Sequence, residues 1–551
     1  MKFRYRAALG LAVLLLSAPA AHAGLVFDLR TSSGLVVWGA DLFDNSGRAV
    51  AMGDVDGDGF RDIIIGSIGT DGAGEVVPNS GAVDIIWGDT RTNLGLTKDL
   101  LTQSNVHIDG ADTGDQVGIF VVSADFNGDG LADLAVGASL ADGPANARTD
   151  AGEVYVFYGR ARALWAGINS VSQADATLLG EEEGDQAGVS LATGDVDGDG
   201  IHDLLVGASS ADGDANLKPA SGSSYVWFGG PAGAGDIELS AQLTINGADS
   251  GDLSGRSLAT GDLDGDGRAD IVIGVPNGAG PGNARAQGGE VAIVWGRDQA
   301  SFLSPIELVS QTDVVIYGPE NGDNAGTFVD AADFDGDSFF DVFVGVPLAD
   351  ALANAKINAG EAFLYYGRAR AGFPAAIDLQ PGLGVDGKRF IGQDAGDLLG
   401  SALASGDLDG DGKQEINLGA PLADGVAPVR LSSGEVFMYF GVLRGSLANE
   451  LQVEATADLR VLGADAGDRV GTILDMGDLN NDGGLDLAMG APGGDSNGNA
   501  RADGGEVHIL YGFGQVVPAI LADFDANESA SGGVELAWST GEQSGILGFN
   551  L

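Results

Sequence analysis

Seven short stretches of this chain gather carboxylates at a spacing that suits the capture of a hard cation. The first is Asp54-Val55-Asp56-Gly57-Asp58-Gly59-Phe60-Arg61-Asp62. Acids at positions one, three, five and nine of a nine-residue loop would repel one another without a counter-ion. Calcium takes roughly six to eight oxygens at about 2.3–2.6 Å in loose geometry. Four side chains, the backbone carbonyl of the seventh residue and a water supply such a shell. Magnesium demands a tighter octahedron and keeps its waters, which makes it the second choice. Glycines at positions four and six let the backbone turn around the ion.

The motif opens at Asp54, Asp125, Asp195, Asp262, Asp333, Asp407 and Asp478, in steps of 71, 70, 67, 71, 74 and 71 residues. The candidate side-chain ligands are Asp54, Asp56, Asp58 and Asp62; Asp125, Asn127, Asp129 and Asp133; Asp195, Asp197, Asp199 and Asp203; Asp262, Asp264, Asp266 and Asp270; Asp333, Asp335, Asp337 and Asp341; Asp407, Asp409, Asp411 and Glu415; and Asp478, Asn480, Asp482 and Asp486. The carbonyl ligands belong to Phe60, Leu131, Ile201, Arg268, Phe339, Lys413 and Gly484. Of 28 side-chain positions 25 are Asp, and Asn127, Glu415 and Asn480 keep a side-chain oxygen, so up to seven calcium ions are expected. The fifth and seventh copies are weaker, with Ser338 in place of a glycine and Asn481-Asp482-Gly483-Gly484 altering the turn. An EF-hand needs a bidentate Glu at position twelve and flanking helices. Position twelve here is Ile65, Val136, Val206, Ile273, Val344, Leu418 or Met489, all apolar. The loop therefore belongs on a β-hairpin.

The elements that position these loops follow from the period, which signals a repeat architecture. Each unit reads as four short strands. One precedes the loop, as in Arg48 to Met52. The second follows it as an apolar triplet closed by glycine, such as Ile63-Ile64-Ile65-Gly66, the pattern of a strand buried on both faces. A third ends in an aromatic before a glycine, at Trp87, Tyr158, Phe228, Trp295, Tyr366, Phe440 and Tyr511, side chains expected to pack between sheets. The fourth ends in a Gly-x-Asp turn, as in Leu243 to Asp249. Seven four-stranded units predict an all-β, seven-bladed β-propeller over residues 24–512, with a parallel solenoid as the rival. The last unit lacks a fourth strand, and Leu35-Val36-Val37-Trp38-Gly39 stands before the first with no unit of its own. It is expected to complete blade seven and close the ring.

Residues 1–23 read as a secretory signal: Lys2, Arg4 and Arg6, an apolar run, then Ala21-His22-Ala23. They point to export, either into the medium or to the cell surface. No later run approaches the roughly 20 apolar residues of a membrane helix. Residues 513–551 read as a linker and a truncated or disordered piece of a β-sandwich. With three basic residues in the leader, the remainder sets 24 Lys and Arg against 80 Asp and Glu, a balance of −56 that excludes nucleic acid as a natural partner. Cysteine is absent, so disulfides, thiol catalysis and Cys-ligated zinc are excluded.

The repeats resemble the FG-GAP repeats of the integrin α-subunit propeller. The resemblance rests on the Gly-x-Asp turn, the strand, Asp-x-Asp-x-Asp-Gly-x-x-Asp, then Gly-Ala-Ser or Gly-Ala-Pro as at Gly419-Ala420-Pro421, then Gly-Glu-Val and aromatics. It implies a seven-bladed propeller with calcium in hairpin loops on the lower face and ligand recognition on the upper one. Only some integrin blades carry the calcium loop, whereas every blade here does, which argues for a stabilising role spread around the ring. Strand parity alone gives the same division, since the loops between first and second strands share one face. The opposite face carries the Gly-x-Asp turns and long segments such as Ser139 to Gly152 and Ser209 to Gly222, where binding is expected.

A catalytic reading has little support. The histidines beyond the leader, His107, His202 and His508, fall in different units. Acid pairs such as Asp112 with Asp115 and Asp249 with Asp252 suit a glycosidase, but their recurrence favours turn capping. The expectation is a calcium-binding adhesion or recognition module for an extracellular protein or polysaccharide. The alternatives are the non-catalytic part of a phospholipase- or lyase-like hydrolase, and a passive surface scaffold.

Overall fold

A computed structural model describes residues 25–512, apart from short loop positions at 33, 73, 75, 214–215, 231–234, 240–241, 352–354, 381–382, 384–385 and 426–429, together with strands Leu521–Glu528 and Val534–Thr540. The expected leader lies outside the described residues. So does most of the expected tail, whose two described strands pair antiparallel.

Seven sheets form the blades of a propeller. Blade one is an antiparallel meander of Ser46–Gly53, Asp62–Ser67, Ala82–Ile86 and Val106–Asp109. The same order recurs in blades two to six, whose first strands are Phe120–Ala124, Ala187–Gly194, Ser257–Gly261, Phe328–Ala332 and Ala402–Gly406. All seven second strands are buried along their whole length, as the apolar triplets require. The core is divided into clusters lying between successive blades. One joins Ile64 and Val83 of blade one to Val136 and Phe157 of blade two, and another joins Ala488 and Val507 of blade seven to Ile63 and Val50 of blade one. Each blade thus buries its apolar faces only against its neighbours, so an unclosed ring would leave two faces wet.

Leu35–Trp38 closes the ring. It pairs antiparallel with Glu506–Leu510 as the fourth strand of blade seven, with Leu35 opposite Ile509 and Trp38 opposite Glu506. The backbones meet tightly at the seam: a Cβ on Gly490 would lie 2.2 Å from the carbonyl oxygen of Gly47. A Cβ on Gly66 would meet Gly118 at 2.1 Å in the same way between blades one and two. The glycine that ends each second strand is therefore where the next blade passes.

The structure adds a strand that the hydrophobic pattern does not announce. Six blades carry a fifth, parallel strand donated by a neighbouring segment: Leu25–Asp28 on blade six, Thr97–Asp99 on blade seven, Gly235–Glu238 on blade two, Ile306–Glu307 on blade three, Ala376–Asp378 on blade four and Glu450–Gln452 on blade five. Blade one has a single parallel bridge at the equivalent place, Asp109 to Ser170. These clasps are two to four residues long and of mixed composition, too short for an alternation to mark them. Each covers an outer edge that would otherwise present unpaired backbone. The expected four-stranded antiparallel blade is present in all seven cases, and in six of them a parallel clasp is added at its outer edge.

Candidate metal centres

Every acidic loop is the hairpin turn between the first and second strands of its blade, and all seven lie on one face. In blade one Asp54 folds the loop around its own carboxylate. Its Oδ1 accepts the N–H of Gly57 at 2.8 Å and of Asp58 at 3.1 Å, and its Oδ2 accepts that of Gly59 at 2.9 Å. Asp56 accepts from the N–H of Asp58 at 3.1 Å, and Asp58 from that of Phe60 at 3.0 Å. Such successive turns need positive φ at Gly57 and Gly59, which stand at 75° and 94°. Where Ser338 and Asn481 replace glycine, they adopt the same left-handed conformation, at 72° and 52°. The weaker fifth and seventh copies therefore keep the loop.

The ninth residue is the buried one. Asp62 accepts the N–H of Val55 at 3.0 Å and of Gly88, beyond the third strand, at 2.9 Å. Burial is the main cause pushing its pKa up to about 8, with Asp56 and Asp54 adding to it. Burial raises Asp270 and Glu415 to about 8, Asp133, Asp203 and Asp486 to about 7, and Asp341 well above the usual range. Carboxyls held this high are those whose charge a bound divalent cation would stabilise.

The donor set fits a hard cation. In blades one, three, four and five, three acids of the loop each offer an oxygen within 4.8 Å of the others. In blade five Asp335 is 2% exposed, and neither of its carboxylate oxygens has a hydrogen-bond partner among the described residues. A buried carboxylate left without partners is strongly unfavourable, and a cation at that point would satisfy it. Asn127 and Asn480 orient their amide nitrogens toward Asp133 and Asp486, leaving the amide oxygen as the one donor each can offer a cation. If the loops take calcium, the side chains that would hold it are those at positions one, three, five and nine.

Position seven has a second use. A Cβ on Gly57 would lie 2.6 Å from the side chain of Leu131, one on Gly128 would meet Ile201 at 3.0 Å, and one on Gly265 would meet Phe339 at 2.6 Å. The seventh side chain of each of these loops covers the fourth-position glycine of the loop before it, so the sites form a connected staircase.

Two sets of basic residues carry roles that the sequence pattern did not suggest. Arg162 and Arg370 reach from blades two and five onto the loops of blades one and four. On the opposite face, Arg148, Lys218, Arg285, Arg430 and Arg501 sit in the long segments and fasten the clasps. Arg148 donates to the carbonyl of Gly180 at 2.7 Å and, through both terminal nitrogens, to Glu238 at 2.8 and 2.9 Å. Arg285 does the same to Gly318 and Asp378, and Arg501 to Gly39 and Asp99. A signal was present: a basic residue stands four places before the third-strand glycine in six of the seven copies, from Arg148 and Gly152 to Arg501 and Gly505. The long segments are therefore partly structural, where the sequence pattern pointed to binding alone.

The acid pairs of that face cap turns as expected. Asp252 accepts the N–H of Asp249 at 3.1 Å, and Asp468 that of Asp465 at 2.7 Å. The histidines remain apart. His107 is held by Asp84 at 2.8 Å and Asp109 at 3.1 Å; burial alone would lower its pKa, but these acids raise it to about 9. His202 is exposed, and buried His508 lies 3.2 Å from Glu506.

Comparison with known proteins places this geometry in context. The FG-GAP repeat family model matches residues 46–86, 117–157, 187–227, 254–294, 399–437 and 470–510, each running from the first to the third strand of a blade. Phosphatidylinositol-glycan-specific phospholipase D of Rattus norvegicus is 28% identical over 389 residues, 68% of this chain and 43% of the relative. Integrin alpha-PS2 of Drosophila melanogaster is 30% identical over 177 residues, 31% of this chain and 12% of the relative. The chain spans less than half the length of these curated relatives. Among solved structures, a Bacillus licheniformis rhamnogalacturonan lyase covers 87% of this chain and 74% of its own at 15% identity and a TM-score of 0.36, a likeness too distant to carry an argument.

Proposed function

We propose that this chain, an FG-GAP β-propeller of the integrin-α-like kind, is an exported calcium-binding recognition module that engages protein or polysaccharide through its long-loop face. The observation that carries the reading is the division of labour between faces. One face is committed to seven acidic loops, whose job is to hold hairpins and neighbouring blades together. The other offers long segments on a rigid ring, and several apolar side chains stand free on it: Val76 is 73% exposed, Leu217 77%, Ile357 65% and Leu431 64%. Exposed apolar groups on a scaffold-borne rim suit contact with a partner.

The rim is also acidic. Asp112, Glu153, Asp142 and Asp150 surround Asp115, and Asp394, Asp397 and Glu454 bring oxygens within 4.8 Å of one another. This chemistry favours a ligand that presents amines or guanidinium groups and disfavours an acidic glycan.

The test is binding of the calcium-loaded chain to a panel of matrix proteins and of neutral and acidic polysaccharides, comparing the parent with a Leu217→Asp, Ile357→Asp, Leu431→Asp variant. Loss of binding at an unchanged melting temperature supports the reading. Equal binding by parent and variant, or no binding by the parent, removes it.

A second reading draws on the similarity to phospholipase D, which covers 68% of this chain. The propeller would then serve a hydrolase as its substrate-presenting part. Binding of a phosphodiester or glycan substrate by the purified chain without turnover would favour it.

A further inference from the structure

The seven loops share a sequence but not their surroundings. In blades one, two, five and six, the third residue after the glycine that closes the third strand is an arginine: Arg91, Arg162, Arg370 and Arg444. Each guanidinium lies over the aromatic ring at the end of the preceding blade's third strand. Arg162 stands 5.1 Å from the centroid of Trp87, Arg370 5.1 Å from Trp295, Arg444 4.5 Å from Tyr366 and Arg91 4.5 Å from Tyr511. Four copies of one side chain thus occupy one place against four acidic loops.

In three of these copies the polar partners differ with the ring beneath the guanidinium. Over tryptophan, the arginine continues onto the carboxylates. Arg162 donates from Nε to Asp56 and from Nη2 to Asp58 at 2.6 Å. Arg370 donates from Nε to Asp264 and from Nη2 to Asp266 at 3.1 Å. These are positions three and five of the loops in blades one and four. Over Tyr366, Arg444 turns instead toward Asp386 at 3.5 Å. The position-three acid of that loop, Asp335, is then the buried carboxylate with no partner, and the hydroxyl of Tyr366 beside it is buried and unpartnered as well.

We propose that Arg162 and Arg370 are built-in counter-cations that compete with calcium, so that the loops of blades one and four bind the ion more weakly than the loop of blade five. The inference rests on the calcium reading above. A guanidinium on positions three and five answers part of the charge for which a divalent ion would be bound, and it uses oxygens that the ion requires. Binding at blade one must break or share the bonds to Asp56 and Asp58 and disturb the stack on Trp87. At blade five the ion meets a carboxylate that accepts no side-chain hydrogen bond and feels Arg444 only at a distance. The expected difference is about ten- to a hundredfold in affinity, the factor that one or two charge-assisted hydrogen bonds represent. A further consequence is that blade two stays pinned to blade one, and blade five to blade four, when calcium is removed.

The test is calorimetric titration of the whole chelator-stripped chain with calcium, alongside an Arg162→Gln, Arg370→Gln variant and an Asp335→Asn variant. Glutamine keeps much of the side chain's packing while removing its charge, and an Ala pair checks that residual hydrogen bonding by the amide does not mask the effect. The double variant is expected to gain two tight sites, and Asp335→Asn to lose one. Unchanged number and affinity of sites in both arginine variants, with calcium still binding, overturns the competition and leaves the calcium reading intact. No heat of binding in any chain overturns both.

Discussion

The carboxylate of Asp62 accepts the N–H of Gly88 at 2.9 Å, joining the last acid of the first loop to the end of the third strand. The bond recurs across the same interval of 26 residues in all seven blades, through to Asp486 and Gly512 at 2.8 Å. Position nine is therefore a structural tie whether or not a cation is present. Replacing Asp62 by Ala strands the buried N–H of Gly88 and leaves that of Val55 only the carbonyl of Gly53, at 3.0 Å. The expected cost is about 1–3 kcal/mol, the penalty of one unsatisfied buried donor. It should appear as a lowered denaturation midpoint in calcium and in chelator alike. An effect seen only in calcium would make the residue a ligand and nothing more.

The clasps are held by single basic residues, which makes them separable from the blades. Arg148→Ala removes the paired bonds to Glu238 and the bond to the Gly180 carbonyl. The expected loss is about 1 kcal/mol, at the upper end for partly exposed ion pairs. Hydrogen exchange should quicken at Gly235–Glu238 while blade two's first and second strands stay protected. Equal exchange in parent and variant would deny the clasp its fastening.

Ring closure through Leu35–Trp38 gives a sharper outcome. Removing residues 25–38 bares the edge of Glu506–Leu510 and uncovers blade six at the same time, because Leu25–Asp28 pairs with Leu459–Leu462. Exposed strand edges associate. The shortened chain should melt much earlier and elute as an oligomer or aggregate by size-exclusion chromatography. A monomer with the parent's melting curve would mean that the seam is dispensable.

The turns of the long-loop face set a pH dependence. Burial, helped by neighbouring acids, raises Asp115, Asp185, Asp323, Asp397 and Asp468 to about 7 and Asp252 to about 6. In the unfolded chain such groups titrate near about 3.9. The folded state thus holds these protons more tightly. The stability they confer is complete below about pH 4 and is lost as pH rises through about 6–7. In chelator, melting temperature should fall steadily from about pH 5 to about pH 8. Calcium should flatten only the share owed to the loops. A melting temperature that rises over this range would contradict the assignment.

The fold was legible because its signals were local and repeated. The triplet Ile63-Ile64-Ile65 with Gly66 marks a strand buried on both sides, and the stray Leu35–Trp38 is recognisable as a blade's missing edge. The acidic hairpins were legible from spacing alone, because each is built from nine consecutive residues. The features that escaped notice lie in contacts between distant segments. Thr97–Asp99 becomes a strand only because Leu35–Trp38 offers it an edge, and its own three polar residues carry no pattern. Arg162 and Asp56 are 106 positions apart, so nothing in either segment marks their meeting. The fourth-position glycines showed a need for positive φ but not that Leu131 would press on Gly57 from the next blade.

If seven acidic hairpins hold this ring together by binding calcium, the most direct test is the melting curve of the purified chain across a calcium titration. Binding to the folded state alone adds about 2.7 kcal/mol per site at a hundred times Kd. The melting temperature should therefore climb with calcium over several decades of concentration, drop when a chelator is added and recover when calcium is restored in excess. Superimposable curves with and without calcium would contradict the account.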